Sequence, residues 1–281
     1  MKKILVIGLV GNSFFYECDH LPTIGETIKA SNLHTEIGGK GFNQAYTIYT
    51  LGGNVKFLTS IGNDETGKLV KEEITKLGVD TRYIIKDDKT AVASILTDKE
   101  GNNEVIVYPG ATPSISDIEQ HLDLIEEADI VLLQLELKQE VTNYLIDLCY
   151  DLHKTIILNP APVSQTDICF DKISYLIPNE IEAKMLFGEN YEVGLLKKNL
   201  NVVVTLGEKG AVVFQNSKKE YISPVQNKVV DTTGAGDVFC GAFTYSIAKG
   251  ETLIDAIKQA NILASKSITK RHVIESIKSL V

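Results

Sequence analysis

The stretch that most constrains this chain is Val230-Asp231-Thr232-Thr233-Gly234-Ala235-Gly236-Asp237, with Val238, Phe239, Ala242 and Phe243 following at helical spacing. A helix that starts on glycines presents free backbone N–H groups and a partial positive charge at its N-terminus. Without side chains in the way, a phosphate can come close to those groups. Asp237 falls in the first turn, beside the place where the anion would sit, and a bound anion next to a fixed carboxylate points to transfer chemistry. Taken alone, the stretch reads equally well as a strand–turn–helix connection whose glycines serve only the turn.

A second glycine-rich loop, Gly38-Gly39-Lys40-Gly41, leads into a helix through Asn43, Ala45, Ile48 and Leu51. A lone lysine is usually a solvated surface residue, but glycines on both sides of Lys40 favour a ligand contact. Asn43, in the first turn, can both donate and accept hydrogen bonds. Further along, polar residues recur where strands end: Gln134-Leu135-Glu136, Asn159-Pro160-Ala161-Pro162, Pro178-Asn179-Glu180 and Thr205. In open α/β sheets the carboxyl ends of strands form the edge where ligands bind. Asn179 taken alone reads equally as a helix cap.

Around these motifs the pattern is α/β. Ile4 to Val10 reads as a central parallel strand, Val55 to Ile61 as a strand, and Glu65 to Leu77 as a helix stopped by Gly78. From residue 114 the alternation is regular, with one helix-like segment from Ile115 to Glu127, an amphipathic helix through Val141 to Leu152, and two closing helices through Ala235–Ala248 and Leu253–Ile268. Ala91–Thr97 and Glu104–Tyr108 form a hairpin that interrupts this order. With a strand at about 27–37 it predicts a small separate sheet, a lid that excludes water. The expectation is a single large α/β domain over residues 1–281 with lid strands at about 27–37 and 91–108.

Composition narrows the function classes. Hydrophobic residues make up 44% and charged residues 23%, as in ordinary globular proteins. The net charge of -9 argues against a general nucleic-acid or anionic-membrane binder, while leaving room for one local basic pocket. No apolar run approaches the roughly 20 residues of a membrane span. The Met1-Lys2-Lys3 start imitates a signal peptide, but Gly8, Gly11, Asn12 and Ser13 interrupt the run, so a first buried strand is expected. The four cysteines form no CxxC and the five histidines no HExxH, so reduced thiols, no built-in zinc site and a cytoplasmic setting are expected. GxGxxG is missing after the first strand, which speaks against a nicotinamide dehydrogenase.

The order of these motifs resembles the ribokinase-like (PfkB) carbohydrate kinases over nearly the whole chain. Gly39-Lys40-Gly41-Phe42-Asn43-Gln44-Ala45 is similar to the family's N-terminal signature and Asp231 to Asp237 to its C-terminal one, with Gln134-Leu135-Glu136, Asn159-Pro160-Ala161-Pro162, Pro178-Asn179-Glu180-Ile181-Glu182 and Thr205-Leu206-Gly207-Glu208-Lys209-Gly210 between them in order. The resemblance implies a three-layer α/β/α fold with a mostly parallel central sheet and a small β-sheet lid, and an ATP-dependent kinase acting on a neutral sugar, a ribose-like pentose or a hexose. Asp237 would be the base and the backbone of Gly234, Ala235 and Gly236 the anion hole. Gly11, Asn12, Ser13, Gly39, Lys40, Asn43, Glu136 and Asp237 would contact the sugar. Asn179 and Glu182 would serve Mg2+ and phosphate, and Thr205, Gly207, Gly210, Gly236 and Asn261 the nucleotide. Asp231, Thr233, Ser267, Lys270, His272 and Ser276 would hold K+. A homodimer through the lid is expected, and neither nucleic acid nor membrane as partner. A nucleoside or sugar-phosphate kinase and a non-catalytic sensor remain alternatives; a sugar phosphate would need extra cations, for which Lys29, His34 and Lys40 are the candidates. Two departures stand out. Ser13 occupies the position where ribokinases carry a sugar-gripping aspartate, which weighs against ribose, and the segment after Lys270 lacks the usual Gly/Pro-rich turn.

Overall fold

Alternation along the central strands sends apolar side chains to both faces, so the sheet must be covered twice. In the strand β1 (Ile4–Ile7), Ile4 and Val6 join one buried cluster while Leu5 and Ile7 join another. The strand β8 (Ile130–Gln134) divides in the same way, Ile130 and Leu132 against Val131 and Leu133. The molecule is a computed structural model that describes residues 1–163, 167–196, 198 and 200–281.

The remaining strands are β2 (Gly11–Cys18), β3 (Ala30–Gly38), β4 (Val55–Gly62), β5 (Thr81–Lys86), β6 (Ala91–Thr97), β7 (Asn103–Tyr108), β9 (Thr155–Asn159), β10 (Tyr175–Leu176), β11 (Asn201–Thr205), β12 (Ala211–Gln215) and β13 (Lys218–Ile222). The helices are α1 (Lys40–Thr50), α2 (Glu65–Leu77), α3 (Ile115–Glu119), α4 (Leu122–Glu127), α5 (Gln139–Asp151), α6 (Glu180–Phe187), α7 (Tyr191–Leu195), α8 (Ala235–Lys249), α9 (Leu253–Ser267) and α10 (Val273–Lys278). Nine strands make the main sheet in the order β13-β12-β11-β10-β9-β8-β1-β4-β5. Its pairs are parallel except for the β11–β12 and β12–β13 edge. One cluster places α1, α2, α8, α9 and α10 on one face; the other places α3 to α7 on the opposite face. This is the three-layer α/β/α arrangement expected, with a mostly parallel sheet. Among the described residues no helix is long and apolar enough to cross a membrane.

A second sheet, β3-β2-β6-β7, forms the lid. Its strand β2 has no counterpart in the sequence pattern: Gly11, Asn12 and Ser13 break the apolar run, and the strand exists because β3 pairs it antiparallel and β6 parallel. β3 starts at Ala30, three residues later than expected. The edge strands β5 and β13 were also not foreseen. β13 returns from β12 through Asn216 and Ser217, both at positive φ (51 and 60), as a two-residue hairpin of the right hand for twisted strands requires. The segment expected as one helix from Ile115 to Glu127 is two, α3 and α4, separated where His121 leaves helical geometry (φ -127, ψ 27). A third helix, α10, follows the two expected to close the chain.

Candidate active site

α1 begins directly against the end of β1, and glycines make that possible. The N–H of Phe42 donates to the carbonyl of Leu9 (3.2 Å). A Cβ on Gly41 would lie 2.7 Å from Gly8 Cα, and one on Gly8 would strike the Gln134 side chain. Gly39, at φ 113, brings its backbone against Leu9 and Val10 in the same way. The close approach drives the first turn of α1, and with it Asn43 and Gln44, into the gap between the sheet and α8.

There the two side chains meet Asp237. Asn43 Nδ2 donates to Asp237 Oδ2 (2.9 Å), and Gln44 Nε2 donates to Asp237 Oδ1 (3.0 Å) and to Asn159 Oδ1 (3.1 Å). Gln134 Nε2 donates to Gln44 Oε1 (2.7 Å), and Asn159 Nδ2 donates to the Ile177 carbonyl (2.9 Å). Gln44 is 0% exposed and Gln134 1%, so this end of the relay is buried, and the two amide donors orient the carboxylate. Asp237 itself is buried in the first turn of α8, whose N-cap Gly234 is left-handed (φ 76), a conformation that glycine adopts without strain. Gly234 also packs under Val273, where a Cβ would lie 2.8 Å from a methyl group.

Two cavities meet at this carboxylate. The larger, about 260 Å³, lies between the lid and the carboxyl end of β1 and is lined by Gly11, Asn12, Ser13, Gly39, Lys40, Asn43, Glu136, Thr233 and Asp237, together with apolar lid residues Phe15, Val92, Ile95, Val105 and Val107. The smaller, about 130 Å³, is lined by Lys40, Asn159, Asn179, Glu182, Thr205, Gly234, Gly236, Asp237 and Cys240. Lys40 and Asp237 line both. The negative charge of Asp237 raises the Lys40 ammonium above its ordinary range against the effect of burial, and Glu136 and Glu182 add to the rise. Glu136 accepts from the Lys40 backbone N–H (3.1 Å). Although it keeps some access through the open cavity, burial pushes its carboxyl up to about 7, against the pull of Lys40. Burial likewise raises Glu182.

All eight residues expected at the sugar thus line the larger cavity. Asn179, Glu182, Thr205 and Gly236 line the smaller one. Asn179 turns out to be a cap as well: its Oδ1 accepts from the Glu182 N–H, and Glu182 Oε2 accepts from the Asn179 N–H, each at 2.8 Å, a reciprocal pair that fixes both residues at the start of α6. Gly207, Gly210 and Asn261 do not wall either cavity; Asn261 sits on α9 with its amide directed to the Ser223 carbonyl (3.4 Å). Asp231 is held by the N–H of Thr233 (2.9 Å) and of His272 (3.3 Å), which ties the loop before α8 to the C-terminal segment. Ser267 and Ser276 are buried close by in sequence and Lys270 is exposed. Gln44 was not foreseen as a site residue. Its signal was a second amide placed directly after Asn43 on the buried face of α1.

The pfkB family carbohydrate kinase pattern matches residues 1–280. Ribokinase from Bacillus subtilis (strain 168) is 34% identical over 276 residues, 95% of this chain and 93% of that protein. Among solved structures, ribokinase from Thermotoga maritima superimposes with a TM-score of 0.89 at 34% identity, covering 100% of this chain and 97% of that one. Arabidopsis thaliana ribokinase complexed with ribose and ATP does so with a TM-score of 0.87 at 29% identity, covering 99% and 97%.

Proposed function

The chain belongs to the pfkB family of carbohydrate kinases, and on that premise we propose that it transfers the terminal phosphoryl group of ATP to a hydroxyl of a small neutral sugar, a ribose-like pentose or a hexose. The observation that carries this reading is the meeting of two cavities at one carboxylate and one ammonium. Acceptor and phosphates can then meet beside Asp237, where an in-line displacement sets the attacking hydroxyl and the departing ADP oxygen on opposite sides of the phosphorus. The sugar oxygen attacks phosphorus, its proton passes to an oxygen of Asp237, and the bond to the departing ADP oxygen breaks. The N–H groups of Gly234, Ala235 and Gly236, with the Lys40 ammonium, offset the charge on the transferring group. Asn43 and Gln44 keep the carboxylate oriented.

Thr205, Gly207, Gly210, Gly236 and Asn261 would hold the nucleotide. A Cβ on Gly236 would meet nothing within 4 Å, so its backbone opens onto the smaller cavity, as a phosphate cradle requires. Glu182 commits one oxygen to the Asn179 N–H, and its other oxygen has no hydrogen-bond partner among the described residues, a carboxylate that would suit Mg2+ arriving with the nucleotide. The ion would supply charge neutralisation. Asp231, Thr233, Ser267, Lys270, His272 and Ser276 offer carboxylate, hydroxyl and carbonyl oxygens, a hard donor set that suits K+. Cys18, Cys149, Cys169 and Cys240 are free thiols, in keeping with a reducing cytoplasmic setting.

Among the described residues lining the larger cavity, Lys40 is the one cationic side chain and it faces Asp237 and Glu136, so an acceptor that already bears a phosphate finds no partner there. The apolar lid wall supports a second reading, a nucleoside whose base lies against Phe15, Ile95 and Val105. The test is ATP consumption over pentoses, hexoses, nucleosides and sugar phosphates, with and without potassium. Turnover should appear with a neutral acceptor and fall about 10²–10⁴-fold in Asp237→Asn with the fold retained by circular dichroism. Wild-type protein that binds sugar but turns none over would support a sensor instead.

A further inference from the structure

Residues directly opposite in an antiparallel pair share a face. β2 and β3 pair Ser13 with Glu36 and Phe15 with His34. Ser13, Phe15 and Glu36 all line the larger cavity. The neutral Ser13 therefore has a carboxylate as its immediate neighbour on the cavity wall, and that carboxylate comes from a different strand. The Glu36 side chain is 7% exposed. Its Oε1 accepts from the Val273 N–H (2.9 Å) and its Oε2 from the Ile274 N–H (3.2 Å), while His34 Nε2 lies 3.7 Å from Oε2. Each carboxylate oxygen accepts about two hydrogen bonds, so these contacts hold the group in place and leave acceptor capacity unused.

We propose that Glu36 is the residue that grips acceptor hydroxyls from the lid side and so sets acceptor specificity. This inference rests on the sugar-kinase reading. A carboxylate at position 36, one strand over from position 13, meets the acceptor at a different point, so the hydroxyl pattern selected differs from the one an acidic residue at 13 would select. Ser13 belongs to the same arrangement. An acidic residue there would face Glu36 directly across the pair, and like charges so placed destabilise a sheet. Glu36 also joins the lid to the active-site loop, because the His272 N–H, one residue before Val273, donates to Asp231. An acceptor bound to Glu36 thus presses on the same short segment that positions the loop before α8.

The experiment uses the full chain with D-ribose, 2-deoxy-D-ribose, D-fructose and inosine as acceptors. Wild type is assayed first; absence of turnover would sink the kinase reading alone, and calorimetric binding of the same four compounds then reads Glu36. Glu36→Gln keeps the shape and one acceptor oxygen but removes the charge. For the best acceptor its KM or Kd should rise about 10- to 100-fold, the value of a hydrogen bond to a charged group, with KM for ATP unchanged within about twofold. A purely structural anchor predicts the opposite split: a lower melting temperature, a raised KM for ATP and little change in acceptor preference, and that result would overturn the proposal. Relocating the charge is the second arm. Ser13→Asp alone should lose stability and gain no acceptor, whereas Ser13→Asp combined with Glu36→Ala should fold and shift preference among the four compounds. A double variant that folds yet keeps the wild-type order of acceptors would also refute it.

Discussion

Glu136 is under two opposed pressures. Its depth in the protein raises its carboxyl to about 7, whereas the proposed contact with a sugar hydroxyl is strongest when the carboxylate is charged. The native state keeps a proton that the unfolded chain releases near the ordinary carboxylate value, so stability falls as pH rises between about 4.5 and 7, and the loss is complete above that window. Glu136→Gln removes this dependence. It should melt no higher than wild type at pH 4 and higher at pH 8, by at most about 3 kcal/mol, less where the open cavity supplies water. The acceptor KM of the wild type should fall as pH rises through 7 and that of the variant should stay flat. A wild-type acceptor KM that is flat from pH 6 to 8 would remove Glu136 from the binding set. That Asp237 and Lys40 come to one place was legible from their glycine neighbours. The placement of Gln44 and Glu36 was not, because it depends on which side chain lies opposite in space, and Glu36 in particular needs the β2–β3 register, which no local pattern supplies.

At the level of elements, the junction of β1 and α1 carries the site. Gly41→Ala puts a methyl group into the Gly8 backbone, where neither partner is the end of a flexible side chain. It should cost about 1–3 kcal/mol of stability and, by moving Asn43 and Gln44, reduce kcat far more than it raises KM for ATP. Gly194→Ala on α7, where a Cβ meets nothing within 4 Å, is the matched control and should be neutral or slightly stabilising. Equal loss in both variants, measured by thermal melts and initial rates, would mean that the junction is not special. The buried parallel strands and the long helices were plain in the sequence because both of their faces, or one whole stripe, must be apolar. β2, β5, β13 and α10 were not. They are short, edge-placed or polar, and tertiary partners rather than their own pattern make them regular.

For the molecule as a whole, the lid presents open edges at β3 and β7. Along β7, Val105 is 54% exposed, Ile106 70% and Val107 61%. An apolar edge strand of this kind is a template for pairing, and we propose that a second copy covers it in a homodimer. Light scattering at micromolar concentration should give twice the chain mass for wild type and the single mass for Ile106→Asp. A monomeric wild type would count against the dimer, and the exposed strand would then need another cover.

The two cavities differ in what builds them. Asp237, Gly234 and the phosphate-side wall come from the main sheet and the helices packed on it, while Phe15, Glu36, Val92, Ile95, Val105 and Val107 come from four lid strands that form a sheet of their own. The lid strands thus supply part of the larger cavity, and Lys40, Asn43, Glu136 and Asp237 complete it from the main body of the chain. Substitutions at Phe15, Val92, Ile95, Val105 and Val107 change the lid wall without altering any residue that lines the smaller cavity. Grafting those lid positions from a relative is therefore a way to redraw the wall of the larger cavity while the lining of the smaller one stays as it is.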